Sequence, residues 1–78
     1  MAYWFKAGST PGSSRQIEYL MDSDSDVSSL PTSSSDGTKQ QGDSIVHLKC
    51  GKGSIALSIG TGNIFILNSN DSWVKIGG

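Results

Sequence analysis

The sequence predicts a small, mainly β domain: a C-terminal antiparallel β-meander with one added N-terminal strand and one short helix. Three observations predict it. Between residues 45 and 76, branched and aromatic residues recur in short runs separated by Gly60-Thr61-Gly62 and Asn68-Ser69-Asn70-Asp71. Both breaks are turn chemistry, in which Gly and Asn accept positive φ and Asn and Asp bond their own backbone. Between Asp22 and Ser44, by contrast, only Val27 and Leu30 are strongly apolar, which leaves room for one short helix and a polar connection. Finally, 78 residues with 35% hydrophobic content allow one thin core and nothing larger.

The elements follow in chain order. Tyr3-Trp4-Phe5 places three aromatics together near one end, followed by Gly8, Pro11, Gly12 and several Ser, a loop composition. Residues 1–14 therefore form an N-terminal aromatic arm and loop, and residues 15–78 a single small β domain. An extended Tyr3-Trp4-Phe5 sends Tyr3 and Phe5 to one side and Trp4 to the other, more than a small meander covers. Two placements stay open: packing on the chain's own domain, or an arm on a neighbouring subunit, where aromatics are common anchors. Tyr3, Trp4 and Phe5 are the candidate assembly interface.

Residues 15–21 read as a strand with Ile17, Tyr19 and Met21 on one face. Asp22 or Ser23 then caps a short helix whose acidic first turn suits the helix dipole. Val27 and Leu30, three apart, face the core, and Pro31 ends the helix. Residues 32–42 are a Ser/Asp/Gly/Gln loop with nothing to bury, expected to be mobile. Residues 44–50 alternate as a strand, with Val46, Leu48 and Cys50 on one side and Ile45, His47 and Lys49 on the other. In the next strand, residues 54–59, Ile55, Leu57 and Ile59 are expected inward and Ala56 and Ser58 outward. Residues 63–67 are apolar on both faces, as a central strand would be, and residues 72–76 form the last strand, carrying Trp73.

Composition excludes several functions. Six Lys and Arg against seven Asp and Glu give a net charge of −1, with no basic footprint for nucleic acid or an anionic membrane. One Cys and one His are too few for a structural zinc site or an internal disulfide. No run approaches the roughly 18 apolar residues of a membrane span. The N-terminus lacks a basic segment leading an apolar one, so no secretory signal is expected.

Motifs of chemistry fail on their essentials. Asp22, Asp24 and Asp26 imitate the start of a calcium loop, but Val27 and Ser33 stand where it needs Gly and Glu. Gly51-Lys52-Gly53-Ser54 lacks the Gly-Lys-Ser order of a phosphate loop, and Gly60-Thr61-Gly62 has Phe65 where a dinucleotide fingerprint wants its third Gly. His47 and Cys50 fall on opposite faces of an extended segment, which disfavours a nucleophile and its base. The sequence therefore predicts no enzyme and no cofactor. Trp73 reads as a core or edge-capping residue, with sugar stacking as its sharper alternative.

Two stretches bear on function through their order. Ile17-Glu18-Tyr19-Leu20-Met21-Asp22, with Asp26-Val27-Ser28-Ser29-Leu30-Pro31-Thr32, resembles the front of small virion structural proteins from tailed bacteriophages and prophages of Gram-positive bacteria. Lys52-Gly53-Ser54-Ile55-Ala56-Leu57-Ser58-Ile59, Gly60-Thr61-Gly62, Ile64-Phe65-Ile66-Leu67-Asn68-Ser69 and Trp73-Val74-Lys75-Ile76 continue the resemblance, which spans about residues 15 to 77. It implies assembly rather than catalysis: a capsid decoration or head-associated protein in the virion, assembled in the host bacterial cytoplasm. The expected partners are its own copies, as a symmetric oligomer with a trimer among the options, and the major capsid protein or other virion proteins. A tail, baseplate or fibre module is the alternative, and a cell-wall glycan-binding module using Trp73 is the alternative of another class.

Overall fold

The computed structural model of the chain describes residues 3–5, 12, 14–39 and 45–77. Five strands form one sheet in the order β1 (Tyr3–Phe5), β2 (Glu18–Met21), β3 (Ile55–Ser58), β4 (Ile64–Leu67) and β5 (Trp73–Gly77). A single 3-10 helix, Asp24–Ser29, completes the secondary structure of the described residues. The fold is thus mainly β with one short helix, as expected.

The sheet is mixed. β3, β4 and β5 are the expected antiparallel meander, and β1 runs antiparallel to β2, but β2 and β3 pair in parallel through Tyr19↔Ala56 and Leu20↔Leu57. Parallel neighbours cannot be joined by a tight turn and need a crossover of a dozen or more residues. The chain between β2 and β3 is that crossover, which explains why its composition is polar and why it carries the helix.

The helix starts where the sequence places it. The Asp26 carboxylate reaches back to accept the Ser23 backbone N–H at 3.2 Å, and the Asp26 N–H returns to the Ser23 carbonyl at 3.1 Å. At the other end Leu30 is extended, with ψ 149°, as a residue preceding proline must be. Val27 and Leu30 join the core with Tyr3, Ile17, Tyr19, Met21, Cys50, Ala56, Phe65 and Leu67.

Two expectations are corrected. Residues 45–50 form no strand: Leu48 N–H closes a turn onto the Ile45 carbonyl, and Cys50 N–H bonds the Thr32 carbonyl within the crossover. Their backbone groups are used in that turn and in bonds to the 32–37 segment, including Gly37 N–H to the His47 carbonyl, instead of in a ladder. Ser44 lies outside the described residues. The second correction is the facing of β3. Ala56 and Ser58 are fully buried, whereas Ile55 and Leu57 are half-buried and Ile59 is 53% exposed. Ala56 sits in one cross-strand row between Tyr19 and Phe65, and those rings fill the space above β3. A close-packed interior leaves room there for a methyl group and a hydroxyl, so the branched residues turn outward.

The aromatic arm also resolves in part. Residues 3–5 are not outside the domain: they form β1, and the buried Tyr3 ring meets Tyr19 edge-on with centroids 5.9 Å apart. Residues 1–2, 6–11 and 13 of the arm, and residues 40–42 of the expected loop, lie outside the described residues. The described part of that loop makes hydrogen bonds to the rest of the domain. Thr38 N–H donates to the Ser29 carbonyl at 2.8 Å, and the Tyr3 hydroxyl donates to the Thr38 carbonyl at 3.0 Å.

Candidate functional site: the uncovered face of the sheet

Alternation along a strand gives a sheet two faces. On the inner face the crossover is fastened by several contacts. Trp73 Nε1 donates to the Pro31 carbonyl at 2.9 Å, the Trp73 ring meets Tyr19 edge-on at 6.1 Å, and Cys50 Sγ reaches the same Pro31 carbonyl at 3.5 Å. Burial pushes the Tyr19 hydroxyl and the Cys50 thiol to higher pKa, so both stay neutral near pH 7. Ser54 Oγ adds a donor to the Gly51 carbonyl at 2.6 Å and an acceptor for Ile17 N–H at 3.0 Å. This polar stitching suits a structural core. A buried, neutral thiol lacks the thiolate that a nucleophile needs.

On the outer face, register sets two apolar rows. One runs Trp4, Leu20, Leu57, Ile64, and the other Ile55, Ile66, Val74, continuing from Glu18. The irregularity opposite Ile64 leaves Ile76 beside the first row. Trp4, Val74 and Ile76 are 39%, 38% and 57% exposed, and the residues between them are half-buried. Among the described residues no helix or strand lies over this face. Glu18, at one end, is the single charged residue in its two rows. The surface is thus apolar except for Glu18 at its end.

The candidate interface residues divide between the two faces. Tyr3 belongs to the domain's own core, Trp4 opens onto the outer face, and Phe5 pairs through its backbone with Tyr19. Trp4 is thus the described side chain of this group that lies on the outer face. Sequence reasoning missed Ile55 and Leu57 as surface residues. The signal was the contrast within residues 55–58, where large branched residues alternate with Ala and Ser between neighbours rich in aromatics.

Two carboxylates brace the ends of the structure. Asp71, in the turn between β4 and β5, has φ 64°, a left-handed geometry that Asp tolerates better than most residues. Its Oδ1 accepts the Ser33 N–H and hydroxyl at 2.9 and 2.6 Å, and Oδ2 accepts the Ser34 hydroxyl at 2.6 Å. Those Ser33 and Ser34 hydrogen bonds hold its pKa well below the usual carboxylate range. Asp24 is likewise lowered, by Thr61 first and Asn63 next, at 2.7 and 2.5 Å. Both carboxylates are acceptors fixed by protein donors, an arrangement that anchors loops.

Beside Trp73 an open cleft of about 480 Å³ runs between the end of the helix, the 32–38 segment and the β4–β5 turn, with Asp36, Thr38 and Asp71 among its walls. Among the described residues no three His, Cys, Asp or Glu converge to hold a metal ion, and no helix is long and apolar enough to cross a membrane. No family model matches the chain, and neither a curated protein nor a solved structure matches it.

Proposed function

We propose that this chain is a structural subunit that works by assembly, as a capsid decoration or head-associated component of a tailed-phage particle. The observation that carries the assembly reading is the apolar face from Trp4 to Ile76, which no helix or strand of the described residues covers, on a sheet whose other face packs against its own crossover. The ordered resemblance of residues 15 to 77 to small phage virion proteins supports the particle. A domain this small gains stability from company, because its core alone is thin. The mechanism is burial of apolar surface between proteins, without bond-making chemistry.

A direct test is to locate the chain on intact particles. In a lysate of the producing host, an antibody to the full chain is expected to label particle heads, and the chain to co-sediment with them. Label on tails alone would move the subunit to the tail or baseplate. A chain that stays wholly in the soluble fraction while particles form would contradict the virion reading.

The cleft beside Trp73 favours one further reading, a glycan-binding module. It is the weaker one, because the indole N–H is already given to Pro31 and the ring leans on Tyr19. A titration with cell-wall oligosaccharides, followed by tryptophan emission, is expected to give no saturable change.

A further inference from the structure

We infer that the occupant of the outer face is a second copy of this chain, stacked sheet on sheet with β3 lying over β3. The inference rests on the assembly reading and names its first partner. The size of the face argues for it. Five strands about 4.8 Å apart, three to five residues long at about 3.3 Å per residue, make a patch roughly 24 Å wide and up to about 15 Å long. A single partner helix, about 10 Å across, covers less than half of that width when it lies along the strands. A second copy presents a rectangle of the same shape at the usual sheet spacing of about 10 Å.

Charge agrees with size. The middle of the face holds Leu20, Leu57, Ile64, Ile55 and Ile66 with no charge among them, so two copies meet without burying an unpaired ion. A dimer with identical surfaces in contact has a two-fold axis in the plane of the interface. Whether that axis runs along the strands or across them, the middle strand of five falls on itself. Ile55 and Leu57 are therefore the centre of the contact, where binding energy concentrates. The buried footprint, roughly 700 Å² over both copies as a flat rectangle, lies under the 1,200 Å² or so of stable complexes. The dimer is thus a weak one, strengthened on a particle by many simultaneous contacts.

The experiment is sedimentation velocity on the full chain from micromolar to millimolar concentration, with folding checked by circular dichroism. Wild type is expected to pass from monomer to dimer across that range. Leu57→Glu and Leu57→Lys are each expected to remain monomeric, with the dissociation constant raised roughly thirty-fold or more. Their equimolar mixture is expected to recover a dimer, because the opposite charges meet at the two-fold. If Leu57→Glu does not fold, Ile76→Lys on the same face serves in its place, and an undiminished dimer there overturns the inference. A wild type that stays monomeric throughout overturns the second copy as occupant while leaving the particle test to decide the assembly reading. Dimers that persist in Leu57→Glu overturn the face but keep assembly. A mixture that fails to recover a dimer overturns the β3-over-β3 arrangement.

Discussion

Trp73 Nε1 and the Pro31 carbonyl are joined by a 2.9 Å hydrogen bond that ties the last strand to the far end of the helix, 42 residues away in sequence. The bond fixes the crossover over the inner face and so decides which face is left open. Trp73→Phe keeps a ring against Tyr19 but drops the donor. It is expected to cost about 0.5–1.5 kcal/mol in chemical denaturation, with the Pro31 carbonyl left to the longer 3.5 Å contact from Cys50 Sγ. An unchanged midpoint would show that the Pro31 carbonyl finds another donor.

Tyr3 and Trp4 are adjacent but serve opposite faces, so their removal has separable effects. Tyr3→Ala deletes a buried ring and is expected to destabilise the fold by about 3 kcal/mol or more. Trp4→Ala removes a side chain that is 39% exposed on the outer face, and is expected to cost under about 1 kcal/mol in the monomer while weakening self-association. Thermal melts and sedimentation of the two variants check both statements. Equal loss of stability would place Trp4 within the core.

Ala56 lies between Tyr19 and Phe65 in one cross-strand row, with no exposed surface. Ala56→Ile forces bulk under the crossover and is expected to destabilise by about 1–3 kcal/mol. Added bulk at the half-buried, outer-facing Leu57, as Leu57→Phe, is expected to be nearly neutral in the monomer. The pair of melts reads out which residues of β3 face inward.

Asp71 predicts an acid sensitivity with a definite sign. Its folded pKa is depressed, so the stability it contributes is present above the unfolded carboxylate value of about 3.9 and is lost as pH falls through the folded one. Melting temperature is therefore expected to be level down to about pH 4 and to fall below it. Asp71→Asn keeps the turn-compatible side chain and removes the titration, so its decline below pH 4 is expected to be shallower. Asp24 has a depressed pKa as well, so some decline persists.

The legible parts of this fold were local. Alternation at residues 17–21 and 63–67, the turns at residues 60–62 and 68–71, and the helix closed by Pro31 all depend on near neighbours in sequence. What escaped was set by distant partners. The parallel pairing of β2 with β3 needs both strands at once, and the outward turn of Ile55 and Leu57 depends on rings contributed by β2 and β4. The alternation at residues 45–50 has the pattern of a strand, but pattern alone does not supply a pairing partner, and the segment's backbone bonds go to its own turn and to residues 32 and 37. The anchor from Asp71 to Ser33 and Ser34 spans the crossover and left no mark on the polar composition of that stretch.

The central claim is that the chain seals one face of its sheet and leaves the other for another protein. Photo-activated carbene footprinting of the dilute full chain, read out residue by residue, tests it most directly. The account predicts heavy labelling at Trp4, Leu57, Ile66 and Ile76, little at Tyr19 and Leu67, and loss of the outer-face labelling when the protein is concentrated or bound to particles. Protection of Leu57 and Ile66 in the dilute monomer, equal to that of Tyr19, would contradict it.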